Sequence, residues 1–190
     1  MKVVGFNGSP RKNGNTSILI NKVFEVLNRE GIETELVHIG DKPVQGCKAC
    51  FKCFDAQNRK CAIGDDMINE NIARIIEADG VIMGSPVYFT DVTPEMKALI
   101  DRAGMTSIAN NYIYKRKPAA AVVSVRRGGA LHTFDTINHF FLINQMMVVG
   151  STYWNMGMGR QIGDVEKDEE GIRTMENLGN NMAWLLKKIN

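Results

Sequence analysis

The four cysteines of this 190-residue chain are its most informative residues, because all of them lie close together in the sequence. They follow the pattern C-x2-C-x2-C-x7-C and are Cys47, Cys50, Cys53 and Cys61. Thiols two residues apart along the chain are poorly placed to form disulfides with one another. Three closely spaced thiolates with a fourth a short loop away are typical of an iron–sulfur site. We predict that the four residues ligate one 4Fe–4S cluster, with a zinc site or a metal-free segment as alternatives.

A second group of residues with binding chemistry is the loop GSPRKNGNTS at positions 8–17, which leads into a predicted helix. Free N–H groups and the helix dipole attract an anion at such a junction. The side chains that can add donors or charge are Ser9, Arg11, Asn15, Thr16 and Ser17. Asn15 stands where a Walker loop requires lysine, so a terminal monophosphate is favoured over a nucleoside triphosphate. A turn that merely caps the helix is the alternative.

Two further loops carry residues suited to a flat ring system. The segment Ser85-Pro86-Val87-Tyr88-Phe89 combines a rigid turn with two aromatic side chains that can flank such a ring. The stretch SVRRGG at positions 124–129 offers a hydroxyl, two guanidinium groups and bare backbone donors, which suit a reduced flavin or the phosphates of a nicotinamide nucleotide. Aromatic side chains that pack into the core, and arginines that only increase solubility, are the alternatives.

The elements that must position these loops alternate between strand and helix. Predicted strands cover positions 2–6, 34–39, 80–83, 118–125 and 146–151, and predicted helices cover 16–28, the stretch after 65, 93–104, 131–144 and 169–189. This alternation predicts a five-stranded, doubly wound parallel α/β sheet with helices on both faces. Ligands bind outside the carboxyl ends of such strands, which is where the three loops fall. We expect one domain over residues 1–190, with a cysteine-rich loop at 45–64.

Composition excludes several classes of function. Hydrophobic residues make up 44% of the chain and charged residues 23%, as in ordinary globular proteins, and the formal net charge is +2. This charge is too small to favour nucleic acid or an acidic membrane surface as a partner. We expect no signal peptide, no membrane span and a location in the reducing cytoplasm, where clustered thiols stay available. The histidines form no recognisable pair with a nucleophile, so we expect cofactor chemistry and no catalytic side chain.

Two motifs resemble those of a known family. Gly8-Ser9-Pro10-Arg11 with Gly14-Asn15-Thr16, followed by Gly84-Ser85-Pro86-Val87-Tyr88, is similar to the NAD(P)H-dependent FMN reductase group of flavodoxin-like proteins. The cysteine run between the second strand and its helix narrows the resemblance to the iron–sulfur flavoproteins. It extends over the whole chain. It implies a flavodoxin-like three-layer fold with strand order 2-1-3-4-5, one FMN per protomer, and a homodimer or homotetramer.

The resemblance also implies roles for individual residues. The residues that would hold the FMN phosphate are Ser9, Arg11, Asn15, Thr16 and Ser17, with Gly14 in the same loop. Those that would line the isoalloxazine are Pro86, Val87, Tyr88 and Phe89, with Ser124, Arg127, Gly128 and Gly129 completing the site. The cysteine segment would lie at a subunit interface.

Three function classes follow from these expectations. The first is an FMN-dependent oxidoreductase that passes electrons between NAD(P)H or a ferredoxin-type donor and a small-molecule acceptor, using FMN and the 4Fe–4S cluster. The second is a cluster-free NAD(P)H reductase of flavins or quinones. The third is a non-catalytic electron carrier similar to flavodoxin. The charge of +2 disfavours the carrier, since carriers are typically acidic.

Overall fold

The computed structural model describes every residue from Met1 to Asn190. Strands and helices follow one another along the chain, joined by loops. The strands are β1 (Lys2–Asn7), β2 (Glu33–His38), β3 (Gly80–Pro86), β4 (Pro118–Val125), β5 (Met147–Val148) and β6 (Met156–Met158). The α-helices are α1 (Asn15–Arg29), α2 (Lys52–Ala56), α3 (Ile68–Glu77), α4 (Pro94–Ala109), α5 (Ala130–Ile143) and α6 (Glu169–Ile189). A 3-10 turn at Asp164–Lys167 precedes α6.

All strand pairs are parallel, and the order across the sheet is β2-β1-β3-β4-β5, with β6 also pairing with β4. This is the predicted 2-1-3-4-5 order of a flavodoxin-like doubly wound fold. The chain moves outward from β1 in both directions, so the loops after β1 and β3 meet at the switch point of the sheet. That edge holds the loops in which sequence analysis placed the ligand.

The sheet is covered on both faces. One core packs α3, α4 and α5 against the sheet, with Ile72, Leu99 and Phe141 fully buried. The other packs α1 and α6 against the opposite face, with Leu19 and Leu178 fully buried. Burial on both faces explains why β4 is a continuous apolar run and not an alternating one. No helix combines the length and the apolar character needed to cross a bilayer.

Local sequence signals account for several element boundaries. Gly31 follows α1 with φ +78°, the left-handed conformation that ends a helix at low cost to glycine. Thr93 caps α4 by accepting a hydrogen bond from the backbone N–H of Met96, and Pro94 occupies the first helical position. A carboxylate oxygen of Asp66, just before α3, accepts a hydrogen bond from the N–H of Ile68, the first residue of the helix, where a negative charge is favourable. These signals were correctly interpreted from the sequence.

Several boundaries differ from the prediction: β3 extends three residues further, to Pro86, α3 begins at Ile68, and the short elements α2 and β6 were not predicted. Two of the differences are larger. Helix α4 passes through Gly104, which was expected to end it, because the helix packs closely there against Phe140 of α5. The predicted fifth strand, 146–151, is limited to Met147–Val148. The chain then leaves the sheet, since the hydroxyl of Ser151 bonds to the carbonyl of Tyr153 and the side chain of Asn155 and closes a local turn. Strand β6 returns beside the far end of β4.

Candidate functional site

The loops at the carboxyl edge of the sheet enclose a cavity of about 170 Å³. Seven residues predicted to bind the cofactor line it: Ser9, Arg11, Asn15, Pro86, Val87, Tyr88 and Ser124. Gly14, Thr16, Ser17, Phe89, Arg127, Gly128 and Gly129 are not among its lining residues. Pro10, Arg126, Gly159 and Arg160 line it as well. Arg126 belongs to the SVRRGG stretch but was not among the residues assigned to the cofactor, and Gly159 and Arg160 were not singled out from the sequence. The structure therefore brings the phosphate loop and the ring loop together at one cavity.

The start of α1 forms the anion-binding end of this cavity. Gly14 is the N-cap, it provides no side-chain cap, and the first turn carries no acidic residue. The first N–H groups of the helix are therefore not occupied by a carboxylate or a capping oxygen. A Cβ on Gly14 would lie 2.9 Å from the Cβ of Arg11, so the tight turn requires glycine. A phosphate group fits this end of the helix by charge and by available donors.

Internal hydrogen bonds hold the phosphate loop in shape before any ligand is considered. The N–H of Ser9 bonds to the side chain of Asn7 at 3.0 Å, and the N–H of Arg11 bonds to the hydroxyl of Ser9 at 3.2 Å. An imidazole nitrogen of His38, at the end of β2, lies 2.7 Å from the carbonyl oxygen of Ser9. The loop is thus preorganised, which lowers the ordering cost of binding.

The three predicted donors at the start of α1 have different environments. The hydroxyl oxygens of Thr16 and Ser124 lie 2.7 Å apart, which joins α1 to the end of β4. The hydroxyl of Ser17 donates to the carbonyl of Gly14 at 2.8 Å. The amide of Asn15 donates to the carbonyl of Gln161 and accepts from the N–H of Gly163, both at 2.9 Å. Asn15 therefore holds a second loop against the cavity.

That second loop, residues 159–163, is the part of the site that sequence analysis missed. It follows β6 at the carboxyl edge and places Gly159 and Arg160 on the cavity. The side chain of Asn15 bonds to the carbonyl of Gln161 and to the N–H of Gly163, which are 146 and 148 residues away in sequence. The sequence signal was the glycine-rich stretch around Arg160, but its relevance depended on β6, which was not predicted.

The ring loop forms a tight reversal beside the cavity. Tyr88 and Asp91 exchange two backbone hydrogen bonds of 2.8 and 3.0 Å, and between them Phe89 and Thr90 have positive φ angles of 47° and 66°. Tyr88 is half exposed and the ring of Phe89 is fully exposed. Gly129, with φ +88°, packs against this loop, because a Cβ there would lie 3.0 Å from the side chain of Val87. The aromatic residues are therefore available to a ligand and not part of the core.

The four cysteines line a second, smaller cavity of about 20 Å³. Cys47 and Cys50 are exposed, whereas Cys53 and Cys61 are half buried, and all four are free thiols. No three of them lie close enough together to hold a single metal ion. Burial raises the pKa of the Cys53 thiol. In this arrangement the segment gathers the thiols on one cavity without forming a site for a single ion such as zinc.

The surroundings of the thiols fit a sulfur-containing cluster in chemistry. Arg102, Met105 and Thr106 of α4 form one wall of the cavity. The Nε of Arg102 donates to the sulfur of Cys61 at 3.3 Å. The hydroxyl of Thr106 is buried and has no hydrogen-bond partner, which is costly unless an acceptor is present. Donors directed at sulfur are a usual feature of iron–sulfur sites.

Backbone conformation also marks the cysteine segment as unusual. Ala49, Phe51, Gln57 and Arg59 have positive φ angles between 44° and 62°. Left-handed backbone at non-glycine residues carries a conformational cost and concentrates at functional sites.

Comparison with known proteins finds relatives that match along the whole chain. Residues 1–161 match the family model described as NADPH-dependent FMN reductase. An iron–sulfur flavoprotein of Methanocaldococcus jannaschii is 40% identical over 194 residues, which cover 100% of this chain and 99% of the relative. An iron–sulfur flavoprotein of Methanosarcina thermophila is 34% identical over 191 residues, which cover 100% and 97%.

The fold has close structural counterparts as well. A WrbA-like flavodoxin from Agrobacterium tumefaciens superposes with a TM-score of 0.69 at 16% identity, covering 100% of this chain and 98% of that chain. At this level of identity the likeness concerns the fold alone. The family is shown by the sequence matches. They place the chain in the NADPH-dependent FMN reductase family, in its iron–sulfur flavoprotein branch, as an FMN-dependent oxidoreductase.

Proposed function

We propose that the chain passes electrons between NAD(P)H or a ferredoxin-type donor and a small-molecule acceptor, with FMN at the carboxyl-edge cavity and a 4Fe–4S cluster on Cys47, Cys50, Cys53 and Cys61. The observation that carries this proposal is that one helix, α4, contacts both the phosphate loop and the cysteine cavity. At its start, the hydroxyl of Thr93 donates to the carbonyl of Gly8 in the phosphate loop at 2.8 Å. Further along, Arg102 and Thr106 face the cysteines.

The FMN phosphate would be held by the N–H groups at the start of α1 with Ser9, Arg11, Thr16 and Ser17. Pro86, Val87 and Tyr88 would form one side of the ring site, and Ser124 would close its floor beside Thr16. FMN supplies the ability to accept electrons in pairs and to release them singly or in pairs. The part of these residues is to bind and orient the cofactor and to exclude water from one of its faces.

The cysteine cavity would hold the cluster through its four thiolates, and a bound cluster supplies one-electron transfer. Arg102 and Thr106 would donate hydrogen bonds to the sulfur atoms there. The segment 45–64 also carries four basic residues, Lys48, Lys52, Arg59 and Lys60, against one acidic residue, Asp55. This local positive charge supports an acidic protein, such as a ferredoxin-type donor, as the one-electron partner.

A homodimer or homotetramer is part of the proposal. Tyr153 and Trp154 form an exposed aromatic pair with ring centroids 4.7 Å apart, just after the edge strand β5. Exposed aromatic residues of this kind are enriched at subunit contacts. Free thiols at four positions support residence in a reducing cytoplasm.

One observation favours a second candidate, the cluster-free reductase of flavins or quinones. The cavity between the four thiols has a volume of only about 20 Å³. Loading a cluster would therefore require the segment to open or to fold around it.

Protein purified without oxygen decides between these functions. Iron and FMN would be measured per chain, and the absorption spectrum would be followed after addition of NADPH, NADH or a reduced ferredoxin. We expect one FMN and about four irons per chain, with bleaching by at least one donor. FMN without iron that is bleached by NADPH would support the cluster-free reductase. FMN that no nicotinamide nucleotide reduces, with no turnover of quinones, would support the carrier.

A further inference from the structure

Arg102 is fully buried, and its guanidinium group makes four hydrogen bonds. Nη2 donates to the carbonyl of Ile63 at 2.7 Å, and Nη1 donates to the carbonyl of Gln45 at 3.1 Å and to a carboxylate oxygen of Asp66. Nε donates to the sulfur of Cys61 at 3.3 Å. None of these contacts belongs to the helix that carries Arg102.

The acceptors lie at the two ends of the cysteine segment. Gln45 precedes the first cysteine, whereas Cys61 is the last cysteine and Ile63 and Asp66 follow it. The Asp66 carboxylate also accepts from the N–H of Gln45 at 3.2 Å, so the two ends meet at one ion pair. A planar guanidinium presents five donors in a fixed arrangement, which a lysine ammonium cannot reproduce.

The electrostatics of this ion pair favour its charged form. Burial is the largest single effect and opposes the charge on both groups, but the hydrogen bonds and charges around the pair together outweigh it. The pKa of Asp66 is lowered and that of Arg102 is raised. A buried guanidinium that satisfies a carboxylate, two carbonyls and a sulfur has little freedom to move, since each lost contact would leave a buried group unpaired.

Elsewhere, few contacts hold the segment to the rest of the fold. Asn69 of α3 bonds to both the N–H and the carbonyl of Cys61, at 2.8 and 3.0 Å, and so fixes its backbone. The N–H of Arg59 bonds to Asn110 at 3.1 Å. Arg102 is the residue that contacts the Cys61 sulfur itself and also joins both ends.

We propose that Arg102 is a positioning residue of the cysteine site: it closes the segment 45–64 at its base and holds the Cys61 sulfur in place before any metal binds. The assignment of the thiols as ligands rests on the proposed function, whereas the closing of the segment does not. If Cys61 ligates a cluster, the guanidinium would also place a positive charge beside that ligand sulfur. Such a charge would favour the more negative, reduced state and so raise the reduction potential of the site.

The test compares Arg102→Lys, Arg102→Met and the double variant Arg102→Met/Asp66→Asn, which avoids leaving a buried carboxylate unpaired. Arg74→Met is the matched control, because Arg74 of α3 pairs with Glu35 and does not touch the segment. FMN content reports whether each variant is folded. In FMN-bound, metal-free protein, trypsin can cleave at Lys48, Lys52, Arg59 and Lys60. We expect cleavage there to be at least tenfold faster in both Met variants and intermediate in the Lys variant.

A second measurement uses protein loaded with iron and sulfide without oxygen. We expect the Met variants to hold less iron per chain and the iron that they hold to have a lower midpoint potential than in the wild type, whereas the Lys variant keeps the charge and should stay closer to the wild-type potential. Wild-type rates of cleavage in the double variant, together with wild-type iron and potential, would overturn the proposal. Wild-type protein that never holds iron would refute the cluster, while the cleavage rates would still decide whether Arg102 closes the segment.

Discussion

The hydroxyl oxygens of Thr16 and Ser124 lie 2.7 Å apart, although 108 residues separate them in sequence. Thr16 is in the first turn of α1, at the phosphate end of the cavity, and Ser124 is at the end of β4, where the ring is proposed to lie. The pair is buried and joins the two halves of the site. A substitution at either position should therefore disturb both the phosphate end and the ring end of the proposed FMN site.

Thr16→Val and Ser124→Ala should each weaken FMN binding by about tenfold or more. A hydrogen bond involving a charged group is worth about 1.5–3 kcal/mol, and about 1.4 kcal/mol corresponds to a factor of ten. Ser107→Ala is the control, since that hydroxyl is buried without a partner near the end of α4 and does not line the FMN cavity. Quenching of FMN fluorescence on titration with apoprotein measures the affinity. Equal affinity in wild type and Thr16→Val would show that the phosphate lies elsewhere.

The contact between Asn15 and loop 159–163 gives a second prediction. Arg160→Met should weaken FMN binding by removing a cation from the cavity, and Asn15→Ala should do so by releasing the loop that carries Arg160. Because both changes act through one loop, the double variant should lose less affinity than the sum of the single losses.

The same FMN titration at several salt concentrations shows whether Arg160 strengthens binding through its charge or only through its contacts. The affinity of Arg160→Met should depend less on salt than that of the wild type, because a charge contact has been removed. Arg173→Met, on the exposed face of α6, is the matched control for a lost surface arginine. Strict additivity of the Asn15 and Arg160 changes would mean that Asn15 does not act through this loop.

The sequence was sufficient to predict what depends on short-range signals. The alternation of strands and helices predicted a doubly wound parallel sheet, whereas the order of its strands came from the family resemblance. Gly31 and Thr93 marked helix boundaries because their conformations and caps are local. The phosphate and ring loops were found for the same reason. Gly104 was misread, because packing against Phe140 outweighs the low helix propensity of glycine.

Contacts between distant residues could not be predicted in this way. Arg160 reaches the cavity through β6 and Asn15, and Arg102 reaches the cysteines across 41 residues of sequence. Nothing in the sequence around Arg102 distinguishes it from a surface arginine of an ordinary helix. The roles of Arg160 and Arg102 can be recognised only in the folded structure, where the sheet and its two layers of helices bring distant residues together.

The buried hydroxyl of Thr106 gives a third prediction, which separates metal-free from loaded protein. Thr106→Val removes a hydroxyl without a partner, so the metal-free protein should unfold at the same or a higher urea concentration. In iron-loaded protein the same change removes a hydrogen bond to sulfur and should lower the reduction potential. Thr93→Val is the contrasting control, because its hydroxyl donates to Gly8 and its loss should destabilise both forms. A Thr106 variant that is destabilised without metal would contradict this assignment.

The last prediction concerns the pH dependence of stability at the edge strand β2. The pKa of Glu35 is lowered, chiefly by the hydrogen bond from Lys2, with a further contribution from Arg74 that acts against partial burial. The two partner nitrogens lie 2.7 and 3.1 Å from the carboxylate. A carboxylate with a lowered pKa in the folded state stabilises the fold above its unfolded pKa, here 4.5, and this contribution is lost as the pH falls through the folded pKa.

Glu35→Gln should therefore lower the free energy of unfolding at pH 7, by about 1 kcal/mol or less because the pair is partly exposed. The difference from the wild type should vanish at pH values below the folded pKa, so the variant should show a shallower loss of stability on acidification below pH 4.5. Glu33→Gln is the matched control: that side chain is 73% exposed and lies 3.9 Å from Lys2, so its loss should change little. Urea unfolding followed by tryptophan fluorescence, at a fixed excess of FMN and at several pH values, measures both curves. Parallel curves for wild type and Glu35→Gln from pH 7 to pH 3 would show that the ion pair with Lys2 and Arg74 does not contribute to stability.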